Sequence, residues 1–294
     1  MRYAFFKGCF IQVRLPHLEK VSRLTLDRLG VELVDVDEFS CCSEPLGLYI
    51  NDPLTSMAVV ARNISYAEEK GLDIISLCNG CCYVLKQVNE KLKQDEVLRE
   101  KVNEILSEIN CQYKGTVEVK HFAEVLKNDI GINKITQKVE KSLNGLRIAG
   151  HTGCHILSPK NIMAFDDPID PVVLDKLILV LGAEFVDYDK KTLCCGWTLS
   201  TYGSRESANN LLHEKLNSMR ESDCISVICP QCFYQFDTGQ AIATRSLGLD
   251  YRLPVFYYLQ LLGLSLGFSL EEMLYSKHRI KDLSLKNKLE EILA

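Results

Sequence analysis

Short apolar runs alternate with longer amphipathic ones along most of the chain. RYAFF (2–6), VELVDV (31–36) and DIISL (73–77) are short, rich in apolar or β-branched residues and flanked by turn residues, and so predict strands. Residues 17–29 (HLEKVSRLTLDRL) place Leu18, Val21, Leu24, Leu26 and Leu29 mostly at helical spacing. Gly30 follows where a helix is expected to stop, and Gly182 does the same after 171–181 (PVVLDKLILVL). Strand, helix, strand, helix, strand predicts an α/β fold with mainly parallel sheets. Residues just after such strands gather at the carboxyl edge of the sheet, where these sheets bind ligands.

Three blocks recur in the same order. RYAFFKGC ends at Cys9 and RIAGHTGC at Cys154; LGVELVDVDEFSCC ends at Cys42 and LGAEFVDYDKKTLCC at Cys195; DIISLCNGC ends at Cys81 and CISVICPQC at Cys232. The offset is 145 residues at the first block and 151 at the last, so the chain reads as a duplicated unit, 1–145 and 146–294, with small insertions. Two stretches stand outside the repeat. Residues 83–110 predict a charged, amphipathic helical pair without an equivalent of that length in the second unit, and 270–294 predict a further charged helical ending. Either covers the core as a solvated helix or offers a docking surface. Residues 253–270 carry no charge over 18 positions, but Pro254, Gln260, Gly263, Ser265, Gly267 and Ser269 interrupt them. A buried core segment is expected there rather than a membrane span.

The length of 294 residues suits one large or two ordinary domains, and the 47% hydrophobic and 25% charged composition is that of a core-forming protein. A net charge of −5 argues against a non-specific nucleic-acid grip, which needs a basic face. The N-terminus lacks the pattern of a secretory signal. A cytoplasmic protein without a direct membrane span is expected.

Thirteen cysteines dominate the chemistry, and ten of them fall in the repeat: Cys9, Cys41, Cys42, Cys78 and Cys81, then Cys154, Cys194, Cys195, Cys229 and Cys232. The odd total and the two vicinal pairs fit poorly with disulfides, because adjacent Cα atoms lie about 3.8 Å apart against the usual ~4.4–6.8 Å. Metal ligation in a reducing compartment is the better reading. A structural zinc takes four ligands, and a cubane [4Fe–4S] cluster takes four thiolates. Five thiols per unit therefore leave one spare or imply a larger, non-cubane core. Zinc remains an alternative, since thiolates suit both metals. Cys82, Cys111 and Cys224 have no counterpart in the other half and read as structural, although CNGCC leaves the register at Cys82 open by one.

The pattern C–CC–CxxC, twice in a chain of this length, resembles the cysteine-rich CCG domains, in particular the B subunit of the cytoplasmic heterodisulfide reductases of methane-forming metabolism. Glycine usually follows the pair in that family: Gly196 keeps it, while Ser43 departs from it. The resemblance implies two non-cubane [4Fe–4S] clusters with five cysteine ligands each. It implies reduction of a small-molecule disulfide, that of coenzyme M and coenzyme B, by two one-electron steps at the paired clusters. As partners it implies the iron–sulfur C subunit and the flavin A subunit of the reductase, and a hydrogenase beyond them. Related CCG subunits of lactate and glycolate oxidoreductases keep a second redox function open, and a zinc-stabilised assembly module is a third, non-enzymatic one. The sequence holds neither a ferredoxin-type cysteine run nor a GxGxxG after a strand, so electrons are expected to arrive from another protein. Near the cysteines, Lys7 and Arg205 are candidates for binding substrate anions, and His155 for protonating the departing thiolate.

Overall fold

The computed structural model describes residues 1–44, 47–248 and 252–294. Its strands form two sheets. In the first half β1 (Arg2–Phe6), β2 (Glu32–Val34), β3 (Ile74–Ser76) and β4 (Val119–His121) pair in the order β2-β1-β3-β4. In the second, β5 (Arg147–His151), β6 (Glu184–Phe185), β7 (Cys224–Val227) and β8 (Val255–Tyr257) pair as β6-β5-β7-β8. Every pairing is parallel. The α/β expectation is met, with two four-stranded parallel sheets. Strand β2 covers only Glu32–Val34 of the VELVDV stretch.

Helices connect the strands. The first half contributes α1 (Gly8–Arg14), α2 (Pro16–Arg28), α3 (Pro53–Glu69), α4 (Asn79–Gln94) and α5 (Glu96–Ser107). After β4 comes a helical run: Phe122–Glu124, a π-helical segment Val125–Gly131, then Ile132–Lys138. The second half contributes α6 (Val173–Val180), α7 (Arg205–Ser218), α8 (Pro230–Tyr234), a π-helical segment Gln235–Gly239, α9 (Gln240–Leu247), α10 (Tyr258–Ser265) and α11 (Leu283–Leu293). Gly30 and Gly182, at φ +81° and +80°, turn the chain out of α2 and α6 as expected.

Two expectations change. The helical pair at 83–110 is α4 and α5, but α4 does have a counterpart, the continuous run 230–247 that follows the second CxxC; only α5 stands outside the repeat. The ending at 270–294 is helical chiefly in α11. Before it, a short 3₁₀ turn at Tyr275–Lys277 carries Tyr275 and His278 into the core. The charge-free 253–270 segment forms β8 and α10, whose residues are all buried. Among the described residues no helix is long and apolar enough to cross a membrane.

The halves pack face to face. Helix α10 of the second half lies on α2 of the first, where Thr25 Oγ1 donates to Leu259 O at 2.9 Å. That approach depends on Gly263. A Cβ there would sit 2.2 Å from Met273 Sδ and 2.8 Å from Thr25 Oγ1. Nearby, His17 of α2 and His278 join Phe233, Phe256 and Tyr275 in an aromatic cluster. His278 is 2% exposed; Gln260 Nε2 donates to its Nε2 at 2.8 Å, and among the described residues its Nδ1 has no partner. Burial lowers the pKa of His17 to about 4 and that of His278 to about 3.

Two outcomes follow. Gly263→Ala should destabilise the protein by about 1–3 kcal/mol through overpacking, read as a lowered urea midpoint. Because His278 stays neutral when folded but protonates near pH 6.5 when unfolded, its contribution is present above that pH. It should be lost as pH falls toward 3, by up to ~1.4 kcal/mol per unit. Urea titrations at pH 7 and pH 5 should show this loss, and His278→Phe should make it smaller, the part due to His17 and the other buried histidines remaining.

Candidate metal centre

Each cysteine set is delivered by strand ends. β1 and β5 lead into Gly8-Cys9 and Gly153-Cys154, and both glycines are left-handed, at φ +69° and +84°. A Cβ on Gly8 would lie 3.0 Å from Cys81 Sγ; one on Gly153 would lie 3.5 Å from Cys232 Sγ and 2.7 Å from Asn79 Nδ2. The Gly-Cys block is thus a turn that lets backbone approach the CxxC sulfur. β3 and β7 lead into the CxxC motifs. Cys78 and Cys229 are the N-caps of α4 and α8, so Cys81 and Cys232 stand in first turns; contact with neighbouring thiols and burial nonetheless push both thiols well up.

The vicinal pairs sit on matching turns. Gly196 has φ +86° and Ser43 has φ +57°. Serine therefore takes up the left-handed conformation that glycine supplies in the other half. Ser43 is buried and its Oγ hydrogen-bonds Ser56 Oγ at 2.6 Å, which offsets the strain. Asn63 fixes the preceding loop, accepting from Ser40 N at 2.9 Å and donating to Cys41 O at 3.0 Å.

The ten repeat thiols form one continuous string. Each thiol lies close enough to the next to shift its titration, in the order Cys9–Cys41–Cys42–Cys81–Cys78 in the first half and Cys154–Cys194–Cys195–Cys232–Cys229 in the second. Cys78 touches Cys229 and joins the two. Neighbouring thiols and backbone N–H groups push the pKa of Cys41 and Cys194 down, the latter with Gly196 N donating to its Sγ at 3.4 Å. Contact with the ionised partners pushes Cys9 and Cys154 up. Cys9, Cys41 and Cys154 are exposed at the outer ends; Cys78, Cys81, Cys229 and Cys232 are buried in the middle. Cys82 is fully buried, and burial raises its thiol pKa. Cys111 and Cys224 are buried away from the string.

Of the other candidates, His155 stands beside the sulfurs, its Nδ1 3.5 Å from Cys154 Sγ and its ring 5.6 Å from that of Tyr83 in the opposite half. Lys7 lines a small cavity with Cys9 and Cys41, but its Nζ is engaged by Asp35 at 2.9 Å and Glu19 at 3.3 Å. Arg205 is exposed in the first turn of α7.

Four residues were not anticipated. Tyr257 ends β8 and donates its hydroxyl to Leu77 O at 2.5 Å, with Ile228 O at 3.5 Å; these carbonyls immediately precede Cys78 and Cys229. His121, at the matching end of β4, faces the same two carbonyls, and burial lowers its pKa to about 3. Lys215 and His151 lie behind the second cysteine set. Lys215 Nζ donates to the carbonyls of Lys190, Lys191 and Leu193, and burial lowers its pKa to about 8. One ring nitrogen of His151 lies with Cys195 Sγ and Cys232 Sγ, all within 4.8 Å of one another. Setting RYAFFKGC against RIAGHTGC aligns Phe6 with His151, a signal available in the sequence.

The thiols fit a multi-iron group better than one zinc per half. A tetrahedral zinc gathers four ligands at about 2.3 Å, hence close to one another. Among the described residues the one such compact set is His151, Cys195 and Cys232; the thiols otherwise run as an extended string.

The CCG cysteine-rich domain matches the chain twice, over residues 3–86 and 148–237. Over 296 aligned residues the chain is 37% identical to the B subunit of the Ferredoxin/F(420)H(2)-dependent CoB-CoM heterodisulfide reductase of Methanosarcina acetivorans, covering 100% of this chain and 98% of that one. It is 29% identical to the 8-methylmenaquinol:fumarate reductase membrane anchor subunit of Wolinella succinogenes, over 92% and 94% of the two chains. A crystal structure of a hypothetical protein from Helicobacter pylori shares the fold, with TM-score 0.76 and 13% identity over 96% of this chain and 52% of that one.

The turn after the first cysteine pair gives a direct test. Ser43→Gly should leave stability within about 1 kcal/mol of the parent, relief of the left-handed strain balancing one lost hydrogen bond. Ser43→Val should cost more than that by urea titration, since a β-branched residue tolerates positive φ poorly.

Proposed function

The chain belongs to the CCG cysteine-rich family of heterodisulfide reductase B subunits, iron–sulfur oxidoreductases, and on that premise we propose that it reduces the mixed disulfide of coenzyme M and coenzyme B. The observation that carries this reading is the single string of ten thiols, five from each half, meeting at Cys78 and Cys229. The ten would hold two non-cubane [4Fe–4S] clusters, one per half. When bound, these supply the two electrons that the reaction needs: disulfide, two electrons and two protons give two thiols.

This chain's own residues do the rest. Exposure of Cys9, Cys41 and Cys154 leaves the outer ends of the string approachable by a small molecule, while the buried middle excludes water. His155, half-buried at Cys154, is placed to hold a proton at Nδ1 for a departing thiolate. Lys7 can offer charge to a sulfonate or phosphate only in competition with Glu19 and Asp35; Arg205, exposed in the first turn of α7, is the other candidate cation. Electrons would come through the iron–sulfur C subunit and the flavin A subunit of the reductase, with a hydrogenase beyond, in the cytoplasm. Helix α5, outside the repeat, offers a docking surface with exposed Val97 and Ile105. A second reading, electron relay in a fumarate reductase-type complex, has support in the likeness to the Wolinella succinogenes protein.

Protein prepared anaerobically should contain about eight irons with matching sulfide. Cys82→Ser, Cys111→Ser and Cys224→Ser should keep that content, whereas Cys42→Ala and Cys195→Ala should each abolish thiol release. With reduced protein donor, turnover of the heterodisulfide should require the added iron–sulfur partner. Two zincs without sulfide would end the iron–sulfur reading, and a fully loaded complex inert to the heterodisulfide would favour the relay.

A further inference from the structure

The two sites share one plan but not the same surroundings. Phe6 and His151 end the equivalent strands β1 and β5, each three residues before the first cysteine of its set. Phe6 is a buried apolar ring. His151 is 2% exposed, and among the described residues neither of its nitrogens has a hydrogen-bond partner. Its ring meets Phe236 edge-on, with centroids 5.0 Å apart, and one nitrogen faces Cys195 and Cys232. A buried imidazole with unmet polar atoms is costly unless what fills the space beside the sulfurs accepts from it. The region behind the cysteine pair differs too. Lys215 donates to three carbonyls at 2.6–3.1 Å, which uses all three ammonium protons and fixes a cation there. In the first half the neutral amide of Asn63 braces the corresponding turn.

We propose that His151 is a positioning residue that donates an N–H to a sulfur of the cluster in the second half, and thereby makes that cluster the easier of the two to reduce. This rests on the iron–sulfur reading above. The mechanism is electrostatic: a donor aimed at a cluster sulfur offsets the negative charge that reduction adds, and Lys215 acts in the same direction from further back. Five thiolates already serve that cluster, so the imidazole is a donor to sulfur and not a ligand to iron. Phe6 offers no donor, so the first cluster lacks this stabilisation. Electrons entering the chain collect on the second half, beside Cys154 and His155.

The test uses the full chain with its clusters, as parent, His151→Phe and His151→Gln. Iron and sulfide are counted first; if the parent holds none, the iron–sulfur reading fails and not this inference alone. Redox titration of the loaded proteins should resolve two transitions in the parent. In His151→Phe the higher one should move down. At the parent's midpoint the reduced-to-oxidised ratio should fall about tenfold, ~59 mV for one electron. His151→Gln keeps a donor and should recover part of that shift. Unmoved potentials in a fully loaded His151→Phe, or movement of the lower transition alone, would overturn the proposal. Should His151→Phe lose iron, a measurement on the parent decides instead. Pulsed EPR of the partly reduced parent carrying ¹⁵N-histidine should show weak nitrogen coupling with an exchangeable proton. Strong coupling, marking a ligand, or no coupling would each overturn it.

Discussion

The carbonyls of Leu77 and Ile228 are the points on which this molecule turns. Each lies just past the end of a central strand, where sheet pairing has stopped, and each is deep in the protein. The hydroxyl of Tyr257 bonds the first and reaches toward the second, bridging one half to the other. Buried carbonyls left without a donor are costly, so the requirement to satisfy both draws the two sheet edges together. Cysteine follows directly after each carbonyl, so the same requirement brings Cys78 against Cys229. Asn79 extends the seam by donating to Thr152 O at 2.8 Å, and the left-handed turn at Gly153 leaves room for its amide. The metal centre is therefore a product of the inter-half contact as much as of the cysteines.

Much of this was legible in the sequence because it rests on local rules. RYAFF and DIISL announce strands by their apolar β-branched and aromatic content, and Gly30 and Gly182 mark helix ends by the conformation they alone adopt easily. The order of the ten cysteines survives duplication, and strand ends carry them to a common edge. The unread parts depend on distant partners. Lys215 sits in RESANNLLHEKLNS, which reads as an exposed charged helix; it is buried because three carbonyls from the loop at 190–193 arrive to receive it. Tyr257 lies in a charge-free stretch whose burial is foreseeable but whose hydroxyl partner, 180 residues away, is not. The counterpart of α4 at 230–247 was hidden by its π-helical segment, which breaks the spacing of apolar positions.

The vicinal pair shows how the two halves tolerate divergence. The turn after Cys42 and Cys195 needs a positive φ in both, and only one half keeps glycine. Serine serves because Ser56 lies within reach of its hydroxyl. The constraint is on the backbone angle, and the side chain is free to vary wherever the neighbourhood can compensate.

The near two-fold arrangement carries a consequence for how such a site could have arisen. His121 and Tyr257 occupy matching strand ends and face the same two carbonyls, as copies of one residue would across the axis of a symmetric dimer. In a dimer of identical chains, however, any substitution appears on both sides at once. Phe6 could not stand opposite His151, nor Asn63 opposite Lys215. Joining the copies in one polypeptide frees each side to mutate alone, so that two cysteine sets built to one pattern can acquire different surroundings.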